Sequence, residues 1–408
     1  MPRPATTATP TAPPAAAGWV FMALLAALMA FTSLSTDIYL PAMPQMQHDL
    51  GGDVELTIAG FLVGFAVAQL VWGPVSDRIG RRRPLVMGVL LFIVGSVGCA
   101  LAQTLPQMVA WRVVQAFGAC TGPMLARAMV RDLFARTQAA QTLSTLTVVM
   151  AIAPIVGPLL GGQVVRISNW HAVFWLLAAI GVLMLLALRA LPETLPTARR
   201  ATTPWTVAPA DYLSLLRNRA FMGYTLSITF FYMGAYVFIV GSPFVYLSHF
   251  HVDPQHYGWL FGINIVGVMA LSAVNRRLVN RFSLDVLLRA ATGVAALAMA
   301  AGVTLVAWHP DALWAFALPV FVFFATNGIA AATSTAAALD AAPRTAGSAA
   351  ALIGALQYGS GIVSSVALAA LRSRGPLVLV LLMGLFATAS AAMAFWRAPS
   401  SRNKEFST

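Results

Sequence analysis

Apolar residues occur in long runs of about 20 residues, separated by short polar segments rich in arginine, glycine and proline. A helix of this length crosses the hydrocarbon core of a bilayer, which is about 30 Å thick. The runs therefore predict twelve transmembrane helices, near residues 18–42, 54–75, 84–103, 106–130, 138–165, 170–191, 221–248, 256–275, 284–307, 312–334, 345–371 and 375–396.

One longer polar stretch, which contains prolines and charged residues, interrupts the series of apolar runs near the middle of the chain. Six spans, a linker and six further spans are typical of a duplicated transporter. We therefore predict an all-α membrane protein with two pseudo-symmetric six-helix bundles. The predicted segments are a disordered cytoplasmic tail (1–17), an N-terminal bundle (18–191), a cytoplasmic linker (192–220), a C-terminal bundle (221–396) and a cytoplasmic tail (397–408).

Composition agrees with lipid as the solvent. The 408-residue chain is 59% hydrophobic and 9% charged, which is too little polar surface to cover a soluble globule. Cys99 and Cys120 lie within apolar runs and imply no disulfide framework. The N-terminal tail lacks the charged region of a secretory signal, so we expect the first run to be retained as a helix, with a cleaved signal as the alternative.

The net charge of +12 comes from arginines in short clusters between the apolar runs, a pattern that does not indicate nucleic-acid binding. With both termini in the cytoplasm, nineteen basic residues fall in cytoplasmic segments and three in outer loops. Basic residues in short loops stay on the cytoplasmic side. The charge pattern thus predicts an inner-membrane protein with both termini cytoplasmic.

Between the second and third predicted helices the chain reads Gly73-Pro74-Val75-Ser76-Asp77-Arg78-Ile79-Gly80-Arg81-Arg82-Arg83. This stretch resembles the G-x-x-x-D-R-x-G-R-R signature of the major facilitator superfamily. We expect Gly73 to permit close helix approach and Gly80 to permit a tight turn. We expect the Asp77 side chain to bond a helix end or a basic partner. The resemblance implies a conformational-gating role for Gly73, Asp77, Arg78, Gly80, Arg81 and Arg82; the alternative is an ordinary basic cytoplasmic loop.

Two further stretches resemble motifs of the same family. The fourth span opens with Arg112-Val113-Val114-Gln115-Ala116-Phe117-Gly118, similar to R-x-x-Q-G-x-G, with Ala116 in place of a glycine. The fifth contains Ala153-Pro154-Ile155-Val156-Gly157-Pro158-Leu159-Leu160-Gly161-Gly162, which is similar to the family's antiporter motif, with Ala153 in place of its first glycine. The resemblance assigns gating to Gly157 and Pro158; the alternative is a packing seam of small residues.

The stretches Ser35-Thr36-Asp37-Ile38-Tyr39-Leu40-Pro41 and Ser242-Pro243-Phe244-Val245-Tyr246 resemble the bicyclomycin and chloramphenicol resistance subfamily of drug:H+ antiporters. That resemblance implies a monomeric transporter in the bacterial inner membrane, not an enzyme. Its expected partners are protons, the lipid bilayer and drugs similar to bicyclomycin, chloramphenicol or sulfonamides.

Asp37 is the only acidic residue well inside a predicted span, where a charge costs about 2.5–3.5 kcal/mol. Such a cost indicates a function, and a desolvated carboxyl group can exchange protons near neutral pH. Arg112 lies at a comparable depth in the fourth span and stays charged. We predict Asp37 and Arg112 as the proton-coupling residues, with a static buried ion pair as the alternative.

Candidate substrate-binding residues are methionine, tyrosine and polar side chains within apolar helices. Aromatic and methionine surfaces with a few polar groups suit amphipathic guests of several shapes. Each polar group could equally form a hydrogen bond between helices. The candidates are Met29, Ser33, Tyr39, Gln115, Thr229, Tyr232, Tyr236, Asn264, Asn327 and Gln357.

The histidines form no metal-binding pattern and no phosphate-binding glycine loop occurs, so we expect no metal, no cofactor and an ion gradient as the energy source. Two alternatives to drug export remain. A transporter of a metabolite or sugar would need more hydroxyl-binding side chains than the helices offer. A membrane enzyme or receptor would need a catalytic constellation, which the sequence lacks.

Overall fold

The computed structural model of the chain describes residues 19–134, 136–200, 209–342, 346–371 and 375–396. Within these ranges the chain is helical and forms no β-strand, which confirms the all-α prediction. The predicted tails at 1–17 and 397–408, and residues 201–208 of the predicted linker, lie outside the described residues.

The described part of the first half contains eight α-helices. Two of them begin at a polar side chain that accepts a backbone hydrogen bond, Thr104 from Gln107 and Asn169 from Ala172. The helices are α1 (Trp19–Asp37), α2 (Met43–Leu50), α3 (Leu56–Ile79), α4 (Arg82–Ala100), α5 (Leu105–Ala119), α6 (Thr121–Leu133), α7 (Arg136–Ile167) and α8 (Trp170–Ala187).

The described part of the second half contains seven more α-helices, of which α10 and α12 begin at the capping side chains of Asn218 and Ser283. They are α9 (Pro209–Arg217), α10 (Arg219–Pro243), α11 (Pro254–Leu278), α12 (Leu284–Trp308), α13 (Leu313–Asp340), α14 (Ala346–Leu371) and α15 (Pro376–Phe395). The segment predicted as a linker, 192–220, therefore contains a short helix, α9.

Eleven helical segments of the described chain are long and apolar enough to cross a membrane, with α1 and α2 forming one segment and α5 and α6 another. The remaining span is α7, whose described apolar portion, Ile152–Ile167, is shorter. Together they match the predicted number of twelve.

Several predicted boundaries are shifted, and two of the shifts affect the candidate sites. α1 ends at Asp37, inside the predicted run 18–42, and a 3-10 turn at Leu40–Ala42 leads into α2. Pro41 and Pro44 explain the break, because proline has no backbone N–H to donate. α3 continues to Ile79, beyond the predicted end at residue 75, so the Asp77 side chain starts from a helix rather than a loop.

The two halves repeat one packing pattern. In the first half, α1 packs on α7, α3 on α5, and α4 on both α5 and α8. In the second half, α10 packs on α14, α11 on α13, and α12 on both α13 and α15. The same pairings recur six spans later, which confirms the predicted arrangement of two pseudo-symmetric six-helix bundles.

The halves meet through α7 against α11 and α3 against α14. We call the end of the bundle that carries residues 38–55 the distal end, and the end that carries residues 78–83 the proximal end. At the distal end, Arg166 donates a hydrogen bond to Gln255 Oε1 at 2.7 Å. Nearer the middle, the rings of Phe65 and Tyr358 lie 4.6 Å apart. These contacts join the halves at the distal end and nearer the middle of the bundle.

Candidate functional site

Asp37 lies at the break between α1 and α2 and is 7% exposed. Its Oδ1 accepts a hydrogen bond from the Thr36 hydroxyl at 3.1 Å. Gly157 of α7 packs directly on it, since a Cβ at residue 157 would lie 3.3 Å from Asp37 Cβ. One turn later, Gly161 leaves room for the backbone oxygen of Ile38. Gly157 and Gly161 of the fifth predicted span thus allow α7 to pack closely on the end of α1, and Pro158 is buried between them.

Arg112 is fully buried beneath this break. Its guanidinium lies between two aromatic rings, 4.3 Å from the centroid of Tyr39 and 4.4 Å from that of Phe61. Such cation–π contacts stabilise a charge that is removed from water. The sequence indicated Tyr39 as a substrate contact but did not indicate Phe61, which reads as one more apolar residue of α3.

The hydrogen bonds of Arg112 do not reach Asp37. Its Nη1 donates to Ser35 O at 3.2 Å and to Gln115 Oε1 at 2.5 Å. Gln115 Nε2 in turn donates to Ser96 Oγ at 2.8 Å. No ion pair joins Arg112 and Asp37 in this conformation, although Arg112 lies within electrostatic range of the carboxyl group. The Nε and Nη2 atoms of Arg112 have no hydrogen-bond partner among the described residues.

Five of the predicted substrate residues are buried, at most 4% exposed, and their polar groups are satisfied within the protein. The Tyr39 hydroxyl bonds Thr57, Thr229 donates to Thr225 O, and Asn264 donates to Leu260 O. Gln115 bonds Arg112 and Ser96, and Met29 packs in the apolar core. In this conformation these five side chains support the site rather than present free polar groups.

The other five predicted substrate residues are half-buried: Ser33, Tyr232, Tyr236, Asn327 and Gln357. Tyr236 packs against Gly361 of α14, where an added Cβ would lie 2.9 Å from the ring. Asn327 Oδ1 is buried without a hydrogen-bond partner in the described chain.

Sequence reasoning missed Tyr358, whose ring packs at a tilt against Phe65 across the two halves, and Arg127, an exposed cation of α6 within electrostatic range of Tyr358. The sequence signal for Tyr358 was its position directly after Gln357, which is one of the predicted substrate residues.

A second cluster forms at the proximal end, where Gly80 turns the chain between α3 and α4. Gly80 has a φ of +97°, which favours glycine and supports the predicted tight turn. Arg81 then folds back on α3 and donates to Asp77 Oδ1 at 2.5 Å and to Ser76 Oγ at 2.8 Å. The predicted role of Gly73 in close helix approach gains no support, because a Cβ there would meet no described atom within 4 Å.

Arg81 also contacts α6. Its Nε donates to Asp132 Oδ2 at 2.9 Å, although the two residues are 51 positions apart in the chain. Thr194 donates to the same oxygen at 3.2 Å. Burial alone would lower the pKa of Arg81, but hydrogen bonds to Asp132 and Asp77 raise it above its usual range. Arg81 therefore joins α3 to α6 as a permanent cation.

Glu193, in the segment predicted as a linker, completes this proximal charge cluster of Asp77, Arg81, Asp132 and Glu193. Its carboxylate accepts hydrogen bonds from the backbone N–H groups of Arg81, Arg82 and Leu195 at 2.8, 3.2 and 3.0 Å. Partial burial opposes ionisation, yet these donors lower the pKa of Glu193. Glu193 thus caps the start of α4 with a charge of the sign that a helix N-terminus prefers.

We expect Asp132→Asn to lower the stability of the protein by about 1–3 kcal/mol, because it removes a charged acceptor from the buried Arg81. Thermal unfolding of the purified protein in detergent measures this loss. The matched control is Asp340→Asn, an exposed acid at the same end. Equal melting temperatures for the two variants would show that the Asp132 bond does not hold α6 to the turn.

Comparisons with known proteins agree with this architecture. A family model described as Major Facilitator Superfamily matches residues 23–365. An uncharacterized MFS-type transporter of Bacillus subtilis (strain 168) is 36% identical, covering 82% of this chain and 84% of the relative. The multidrug resistance protein D of Escherichia coli (strain K12) is 30% identical, covering 89% and 92%. A bicyclomycin resistance protein homolog of Haemophilus influenzae is 28% identical, covering 87% and 90%.

Among solved structures, a partially occluded inward open conformation of the xylose transporter XylE from E. coli is similar, with a TM-score of 0.73. The likeness covers 95% of this chain and 99% of the transporter at 14% sequence identity, so it concerns the fold alone.

Proposed function

Because the chain belongs to the Major Facilitator Superfamily, we propose that it exports small amphipathic drugs across the bacterial inner membrane in exchange for protons. Its relatives place it in the bicyclomycin and chloramphenicol resistance subfamily, and its apolar helices make it a multi-pass membrane transporter. The proposal adds the proton as the coupled ion, and bicyclomycin-, chloramphenicol- or sulfonamide-like compounds as the substrates.

One observation carries the proton-coupling proposal: the Asp37 carboxyl group is buried at a helix break, within electrostatic range of a buried Arg112 that has no ion-pair partner among the described residues. Two nitrogens of Arg112 have no hydrogen-bond partner in the described part of the chain. When Asp37 is ionised, a move of Arg112 toward it supplies these nitrogens with an acceptor. When Asp37 takes up a proton the attraction falls, and Arg112 returns to its place between Tyr39 and Phe61.

Alternating access follows from the contacts between the halves. We assign the distal end to the periplasm and the proximal end to the cytoplasm, because the basic residues of the short loops concentrate at the proximal end. Both termini are then cytoplasmic. In the present conformation the Arg166–Gln255 bond holds the distal end together. Export requires this bond to break and the two halves to part around Asp37.

The proposed substrate surface consists of Tyr232, Tyr236, Asn327, Gln357 and the missed Tyr358. These half-buried side chains offer aromatic faces and a few amide or hydroxyl groups. Such a surface accepts amphipathic molecules of several shapes and provides little of the dense hydrogen bonding that a sugar needs. Since one chain carries both halves, we propose that the transporter acts as a monomer.

The energy of one proton is sufficient for useful export. A proton that enters down a potential of 100 mV contributes about 2.3 kcal/mol. This free energy corresponds to roughly fifty-fold accumulation of a neutral substrate, before the pH gradient is added.

The proposal is tested in an efflux-deficient host that expresses this chain. We expect raised resistance to at least one compound of a panel that contains bicyclomycin, chloramphenicol and sulfonamides, and we expect a protonophore to cancel it. In inverted vesicles, addition of the same compound should release protons from the lumen. Unchanged resistance together with proton-driven uptake of a sugar or metabolite would contradict drug export. Resistance that persists with the protonophore would contradict proton coupling.

A further inference from the structure

A cavity lies at the proximal end, between the start of α4 and the segment that follows α8. It has a volume of about 570 Å³ and is lined by Arg82, Arg83, Val86, Met87, Glu193 and Arg200. The first four residues belong to the start of α4, and the last two to the segment that follows α8. We call this cavity the arginine pocket.

The arginine pocket carries an excess of positive charge. Three guanidinium groups face one carboxylate, and the Glu193 oxygens already accept hydrogen bonds from backbone N–H groups. No described acidic side chain forms an ion pair with Arg82, Arg83 or Arg200. Arg200 Nε is buried and lacks a hydrogen-bond partner in the described chain. The pocket therefore provides unused donors for a small anion.

The apolar wall of the pocket indicates what carries the anion. Met87 is 48% exposed, and Leu90 and Val94 continue the same face of α4 at 45% and 52%. This spacing of three and four residues forms a continuous apolar stripe that runs from the arginines toward the middle of the membrane. A ligand with a phosphate group at one end and hydrocarbon chains at the other fits both features.

We propose that the arginine pocket binds the headgroup of an anionic phospholipid, such as phosphatidylglycerol, with its acyl chains along the Met87 stripe. Arginine pairs well with phosphate because its planar group donates two parallel hydrogen bonds. Basic pockets between helices on the cytoplasmic side suit anionic headgroups in general. A phosphate bound between Arg200 and the arginines Arg82 and Arg83 also stabilises the segment after α8 against the start of α4.

The test measures lipid binding to the purified full-length protein by native mass spectrometry and by the rise in melting temperature. The probes are dioleoyl phosphatidylglycerol, dioleoyl phosphatidylcholine and inorganic phosphate. We expect phosphatidylglycerol alone to bind and stabilise the protein. Arg83→Gln/Arg200→Gln should weaken this binding about 30-fold, since each basic residue contributes about a factor of five. The charge-matched control, Arg276→Gln/Arg277→Gln, removes two exposed arginines at the end of α11 and should bind within about threefold of the unmodified protein.

Three results would overturn the proposal. Phosphatidylcholine or inorganic phosphate could stabilise the protein as much as phosphatidylglycerol does, or the two double variants could lose phosphatidylglycerol binding to the same extent. If the pocket variant fails to fold, the single exposed change Arg83→Gln takes its place, with an expected loss of about fivefold. Unchanged binding by that variant would also overturn the proposal.

Discussion

We expect Asp37→Asn to abolish proton-driven export while the protein still folds and binds its substrate. Asparagine has nearly the same shape as aspartate but cannot take up or release a proton near neutral pH. The change also removes a buried negative charge, which costs free energy in an apolar environment, so the fold should tolerate it. Loss of activity would then report the loss of the titrating group and not a loss of structure.

The measurement compares proton release from inverted vesicles with equilibrium binding of the same drug. For Asp37→Asn, we expect proton release at the level of vesicles without transporter, and a drug dissociation constant within a few-fold of the unmodified protein. The matched control is Asp311→Asn, an exposed acid between α12 and α13. Full proton-coupled export by Asp37→Asn would remove Asp37 from the mechanism.

The second large effect is expected at Gly161. A methyl group at this position would overlap the backbone oxygen of Ile38, which is part of the break that presents Asp37. A backbone atom cannot move aside as a side chain can, so α7 and the end of α1 must separate. Overpacking of this kind typically costs about 1–3 kcal/mol. We expect Gly161→Ala to lower the melting temperature and to displace Asp37, so that export falls as well.

Gly354→Ala is the matched control for this substitution. Gly354 also lies within a transmembrane helix, α14, but an added Cβ would meet nothing within 4 Å among the described residues. We therefore expect Gly354→Ala to leave both stability and export close to normal. If the two variants behave alike, the contact between Gly161 and Ile38 does not position the coupling site.

The two candidate sites use arginine in different ways. Arg81 is held by carboxylates and a hydroxyl group, which fix its charge in one place. Arg112 is held by two aromatic rings, one backbone oxygen and one amide, none of which is ionised. A cation without a carboxylate partner can exchange its contacts for an ionised Asp37 at lower cost. This difference makes Arg112 the mobile partner of the proposed mechanism and Arg81 the fixed one.

The sequence alone was sufficient for the features that depend on local patterns. The length of an apolar run compares directly with the thickness of a bilayer, so the number of spans and the helical class followed from counting. The cost of an acid in lipid singled out Asp37, and the glycine of a tight turn was visible at Gly80. The glycine motif of the fifth span also pointed to Gly157, although not to its contact with Asp37.

Only the tertiary structure determined which distant residues meet. Asp132 and Glu193 looked like ordinary loop or helix-end acids, yet both contact the turn at Arg81. In the sequence, Phe61 and Tyr358 could not be told from other residues of the apolar helices. In the structure, Phe61 packs on the Arg112 guanidinium and Tyr358 contacts Phe65 in the other half. Hydrophobic periodicity indicates that a helix is buried in lipid or protein. It does not indicate how the helix is rotated about its axis or which other helices it contacts. Those depend on how side chains of twelve helices fit together, because close packing between helices is a property of pairs and not of single positions.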